Sequence, residues 1–227
     1  MNIAIEIVPV KAPKVTDSPK SWIESSDIVS MFPTYVWNMQ LAQDVILSVN
    51  TRAGEVIGEM RRGMTPLAAG QSWQSTPQLH EHSGFGQLVE CIESAAGSVL
   101  KFLRISNVLS VTGCWANVLA TGAAHGIHNH PNNFLSGVYY LQTQTGSDSI
   151  NFHDPRAQTG IIRPPVVELT AGNTDQVVVQ VKNGTLLMFP SYLQHSVSPN
   201  NSDGERVSIS FNMMFSSFTE NLSKPLW

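Results

Sequence analysis

The periodicity of apolar residues changes once along this chain, and that change constrains the fold more than any other feature. Up to about residue 104, apolar side chains recur at three- and four-residue steps. Leu41, Val45, Ile46, Val49, Ala53, Val56, Ile57 and Met60 trace one buried helical stripe, with Arg61 and Arg62 at its carboxyl end and Gly63 as a stop. Leu88, Val89, Ile92, Ala95, Ala96, Val99, Leu100 and Leu103 trace a second helix, for which Ser83 is the expected cap. From residue 105 onward the pattern becomes short β-rich segments between turn residues, at roughly 108–119, 135–143, 149–153, 163–169, 175–181, 184–189, 193–198 and 206–215. Strands that follow two helices predict a mainly β, α+β architecture: a jelly roll braced by helices on one sheet.

At 227 residues the chain reads as a single domain, with an amino-terminal strand and supporting helices over 1–104, the jelly-roll core over 105–215 and a tail over 216–227. Met1 to Val10 contains Glu6 and lacks a basic start or cleavage pattern, so it is expected to be a retained first strand, followed by a surface connection over 11–30. Only 13% of residues are charged and the net charge is −4, which offers no basic stripe for nucleic acid. The apolar runs fall well short of the roughly 20 residues that span a bilayer. Cys91 and Cys114 are not in a Cys-x-x-Cys pattern, and both are expected to be reduced thiols of a cytoplasmic protein. The tail from Phe215 to Trp227 is polar with aromatic anchors and could dock on the body or on a second copy, giving a homodimer.

The chemistry concentrates in the stretch His125 to Leu141, where three imidazoles fall within six residues. If 128–130 is extended, His128 and His130 face the same way and present two metal ligands. The segment Gly184 to His195, an apolar strand ending in Phe-Pro-Ser, supplies His195 as the best third ligand. Three protein ligands leave positions open for substrate, cosubstrate and oxygen, whereas four would close the site. Farther on, Arg206, Ser208, Ser210 and Asn212 share one face of an alternating strand. An inward-facing arginine needs an anion; its fork matches a carboxylate, and Ser208 can add a hydrogen bond. Tyr140 can reach the same carboxylate while Tyr139 points away into packing, and Asn117, on one face with Trp115, can reach the pocket. A small dicarboxylate at the metal satisfies this set. His125 reads as a loop or pocket residue, His153 as exposed, and the His80/His82 pair as part of a solvated loop over 63–82.

Taken together, His128-Asn-His130-Pro, Ser136-Gly-Val-Tyr-Tyr-Leu141, Phe152-His-Asp-Pro-Arg156, Phe189-Pro-Ser-Tyr-Leu-Gln-His195 and Arg206-Val-Ser-Ile-Ser-Phe-Asn212 resemble the 2-oxoglutarate and iron(II)-dependent oxygenase family related to prolyl hydroxylases. Phe32-Pro-Thr and Gly70-Gln-Ser-Trp-Gln-Ser75 extend the likeness toward the amino terminus. The resemblance implies a double-stranded β-helix, iron bound by a His-x-Asp/Glu…His triad and 2-oxoglutarate anchored by an arginine. Carried onto this sequence, it places the metal on His128, His130 and His195 and the anchor at Arg206. The chain departs from the wider superfamily in having His130 where an Asp or Glu is usual, which raises the charge of the metal site by one unit. Asp154 is the alternative carboxylate ligand, with a structural pair to Arg156 as its competing role.

The expected activity is that of an Fe(II)- and 2-oxoglutarate-dependent dioxygenase, an oxidoreductase that hydroxylates a small-molecule or peptidyl substrate with O2 and releases succinate and CO2. Two other readings fit the same residues: a cupin-like metal-dependent dioxygenase or isomerase without 2-oxoglutarate, and a non-catalytic jelly-roll binding module. Arg206 at its spacing favours the first. The segment 145–183 and the loop around Trp73 are expected to shape the pocket mouth.

Overall fold

The structure, a computed structural model, describes residues 22–156, 162 and 165–219. The chain divides into two compact units, Met1–Tyr35 and Val36–Trp227. In the first, residues 22–35 contain no helix or strand, and the strand expected over 1–10 lies outside the described residues.

The second unit begins with a short strand, β1 (Trp37–Gln40), and helix α1 (Gln43–Met60). The helix buries Ile46, Val49, Ala53 and Ile57, as the three- and four-residue spacing predicts. Asp44 lies in its first turn, where the helix dipole favours a negative charge. Gly63, at φ 78°, takes the left-handed conformation that follows the helix end. Arg61 donates two hydrogen bonds of 2.7 Å to the Glu205 carboxylate, tying the end of α1 to the segment just before Arg206.

The second helix starts later than the sequence suggests. Ser83–Phe85 forms a 3-10 turn, and α2 runs from Gly86 to Phe102. Ser83 does not cap α2, whose N-cap residue Phe85 makes no side-chain capping bond; it is the 3-10 turn that is capped, by His82, whose Nδ1 accepts from the Gly84 N–H at 3.0 Å. The preceding loop is less irregular than expected, with β2 at Ser72–Gln74 and a 3-10 turn at Leu79–Glu81.

The remaining strands are β3 (Leu109–Leu119), β4 (His125–His128), β5 (Leu135–Gln142), β6 (Ser149–His153), β7 (Gln176–Gln180), β8 (Thr185–Pro190), β9 (His195–Val197) and β10 (Arg206–Phe215). A short helix, α3 (Ser216–Thr219), follows. Of the strand expected over 163–169, the described residues 165–169 lie in no strand, and Val167 and Leu169 are exposed. Strand-like composition there finds no neighbour to pair with among the described residues, and β propensity without a partner does not make a strand.

Two antiparallel sheets result, one in the order β1-β8-β5-β10-β3-β2 and one in the order β4-β9-β6-β7. This is the predicted jelly roll, a double-stranded β-helix. Strand alternation builds two cores. Val207, Ile209, Phe211 and Met213 of β10 face the helices, in a core shared with Ile92 and Val99 of α2 and Ile57 of α1. Tyr140 and Val138 of β5, Phe189 and Leu187 of β8, and Ile150 and Phe152 of β6 fill a second core. Burying side chains of this size removes them from water at about 1.5–3 kcal/mol each, which is what holds the helices on the sheet. Among the described residues, no helix is long and apolar enough to cross a membrane.

Candidate metal centre

The three candidate ligands come together by two different routes. His128 closes β4 and lies directly opposite His195 at the start of β9, so cross-strand pairing brings their rings to 4.3 Å between centroids. His130 lies beyond the end of β4, contrary to the expectation that 128–130 is one extended run. It is fixed instead by its backbone N–H, which donates to the Ser191 carbonyl at 3.0 Å, and by Trp115, whose ring stands edge-on at 5.8 Å. One ligand atom from each of His128, His130 and His195 lies within 4.8 Å of the others, and among the described residues no carboxylate or thiol joins the group.

The electrostatics suit metal ligation. His128 Nδ1 lies 2.8 Å from the Gly126 carbonyl and His195 Nδ1 lies 3.0 Å from the Leu193 carbonyl. A proton on each Nδ1 satisfies those carbonyls and leaves Nε2 with a free lone pair. Burial, and then the neighbouring histidines, lower the His130 pKa to about 3. His195 is lowered to about 4, chiefly by burial. Both rings are therefore neutral near pH 7 and able to donate an electron pair. The donor set fits a divalent transition metal held by nitrogen.

Beside the histidines is a cavity of about 540 Å³ lined by Arg206, Ser208, Tyr140, Asn117, Trp115 and the run 124–130, among others. Arg206 is 3% exposed, yet forms no ion pair among the described residues. Its Nη1 donates to the Ser149 carbonyl at 3.1 Å, and its guanidinium lies 5.2 Å from the centre of the Tyr140 ring. The Tyr140 hydroxyl is buried without a hydrogen-bond partner, and burial raises its pKa against the opposing Arg206 charge. Ser208 and Tyr140 are Cα partners on adjacent strands. Asn117 donates to Ser210 Oγ at 3.0 Å. A buried, unpaired cation beside an unsatisfied phenol is costly unless an anion enters between them.

Other expected positions fall elsewhere. Asp154 does not line this cavity: its carboxylate accepts hydrogen bonds from the Arg156 N–H and guanidinium, at 2.9 Å for N and Nε, in the turn made by Pro155. That ion pair holds the Asp154 carboxyl below its usual range. His153 is half-buried rather than exposed, with Nε2 2.9 Å from Ser196 Oγ. Tyr139 packs against the helices and donates to Asn50 Oδ1 at 2.6 Å. The cavity wall draws on the run 124–130 more than on 145–183, from which Ile150 contributes, or on the Trp73 loop, from which Gln74 contributes. Ala124, Gly126, Ile127 and Asn129 escaped the sequence reading, although their adjacency to the histidine motif was a usable signal.

A family model described as "Putative 2OG-Fe(II) oxygenase" matches residues 113–212, the span from β3 to β10 that carries every residue of this centre. Over that span the chain is similar to the 2-oxoglutarate and Fe(II)-dependent oxygenases. Solved structures agree with the fold. The non-heme alpha-ketoglutarate-dependent carbocyclase SnoK from nogalamycin biosynthesis is 16% identical, with a TM-score of 0.58 over 80% of this chain and 79% of that one. A Pseudomonas putida prolyl-4-hydroxylase is 15% identical, with a TM-score of 0.54 over 80% and 92%. HygX from Streptomyces hygroscopicus, solved with nickel and 2-oxoglutarate bound, is 12% identical, with a TM-score of 0.56 over 82% and 85%. No curated protein matches the chain significantly. The description of the matched family names 2-oxoglutarate and Fe(II).

Proposed function

We propose that the chain works as a single oxygenase domain in which His128, His130 and His195 hold Fe(II), and that it hydroxylates a small-molecule or peptidyl substrate. The observation that carries this reading is the buried Arg206, unpaired among the described residues, in the same cavity as the three clustered imidazoles. The chemistry supplied when iron and 2-oxoglutarate are bound is oxidative decarboxylation of the oxo acid to succinate and CO2, coupled to hydroxylation of a substrate C–H bond.

The protein's own residues bind, orient and exclude water. The Gly126 and Leu193 carbonyls orient His128 and His195. Arg206 and the Tyr140 hydroxyl would hold the far carboxylate of the cosubstrate, a guanidinium being the natural partner of that group, and Ser208 and Asn117 line that wall. Ile150, Phe189 and Val197 keep the space between the sheets apolar, which strengthens each of these polar contacts. With Cys91 and Cys114 both unbridged, a reducing cytoplasm suits the chain.

The test is anaerobic addition of Fe(II) and 2-oxoglutarate to the purified protein. A visible charge-transfer band should develop, and Arg206→Ala should require at least tenfold more 2-oxoglutarate to reach it. Absence of the band, together with unchanged 2-oxoglutarate binding by Arg206→Ala, would overturn the proposal. Metal content after gel filtration should fall below stoichiometric in His195→Ala and persist in His130→Asp; stoichiometric iron in His195→Ala would move the third ligand elsewhere.

A further inference from the structure

His125 faces the cavity without a task in the reading above. Three residues apart on a regular strand, His125 and His128 would point to opposite faces. The register of β4 against β9 shifts between them, and this irregularity turns both rings into the cavity, 6.4 Å apart between centroids. Such a shift beside a ligand site re-aims a side chain and is a built feature of a strand.

The His125 ring is mostly buried, but unlike His128 and His195 its nitrogens have no hydrogen-bond partner among the described residues. Arg206 lines the same cavity. In either protonation state an imidazole carries an N–H to donate. The groups assigned to the far carboxylate, Arg206, Ser208, Tyr140 and Asn117, all stand on the larger sheet. On the strands of the smaller sheet, the polar side chains facing the cavity are His125, His128 and His195. Two of these are taken by the metal, which leaves His125 as the donor on the opposite wall.

We infer that His125 donates a hydrogen bond to the far carboxylate of 2-oxoglutarate, closing from the smaller sheet the grip that Arg206 and Tyr140 make from the larger one. This rests on the 2-oxoglutarate reading above. A carboxylate offers about four lone-pair sites, and donors on a single wall reach only one side of it.

The experiment measures binding by anaerobic calorimetry to the full chain loaded with Mn(II), using two acids: 2-oxoglutarate and 2-oxopentanoate, which has the same carbon chain without the far carboxylate. His125→Ala should weaken 2-oxoglutarate roughly tenfold and leave 2-oxopentanoate and Mn(II) content unchanged. His125→Gln, which retains an N–H donor, should recover part of the loss. Equal weakening of both acids, or loss of Mn(II) in both variants, would make His125 a structural residue and overturn the inference. Unchanged 2-oxoglutarate affinity in His125→Ala, while Arg206→Ala weakens it, overturns this inference alone. Unchanged affinity in Arg206→Ala overturns the reading beneath it.

Discussion

Gly137 sits in the middle of β5, and a methyl group there would meet Phe211 Cζ at 2.2 Å and the Leu187 carbonyl at 2.5 Å. Backbone cannot give way as a flexible side-chain tip can, so Gly137→Ala should destabilise the fold by about 1–3 kcal/mol. Thermal unfolding checks this, and an unchanged midpoint would contradict it. At this scale much was legible in the sequence. Tyr139 and Tyr140 point oppositely because successive side chains on a strand alternate, a property of the backbone itself. His153 was misread because its exposure depends on Ser196 across the sheet, which no local pattern reports.

Among the elements, α2 does most to cover the larger sheet. Ile92 is fully buried, in one core with Phe211 and Ile209 of β10. Ile92→Ala should cost about 2–5 kcal/mol through lost contacts and the cavity left behind. A fall in the denaturant midpoint with unchanged slope would report it. Both long helices were legible from their periodicity, and the main strands of the core from their alternation. The strands that escaped, β1, β2 and β4, are four, three and four residues long. So short a run carries too few positions to display a period, and it becomes a strand only because β8, β3 and β9 offer an edge to pair with. The reverse error, a strand expected over 163–169, has the same origin.

For the molecule as a whole, the centre makes stability depend on pH. In the metal-free protein His130 is held down to about 3 and His195 to about 4, with burial the leading cause. An unfolded histidine titrates near 6.5. Between these values the unfolded chain takes up protons that the folded chain refuses, so stability falls as pH falls below about 6.5. The slope approaches about 1.4 kcal/mol per pH unit for each of the two histidines. Melting in a chelating buffer should therefore give a lower Tm at pH 5 than at pH 7, and an equal or higher Tm would contradict the burial argument.

By itself the sequence determined which side chains share a face: Arg206 with Ser208, Ser210 and Asn212, and Trp115 with Asn117. Side-chain direction repeats every two residues on a strand and needs no partner to be set. It also brought into view, in order, the motifs that resemble those of the 2-oxoglutarate and Fe(II)-dependent oxygenases. Only the tertiary structure decided that His128 stands opposite His195, that a register shift turns His125 inward, and that Asp154 is held by Arg156 away from the three clustered histidines. Strand pairing, register and ion pairing between turns are set by hydrogen bonds and contacts between distant segments, and these exist only once the two sheets have closed on each other.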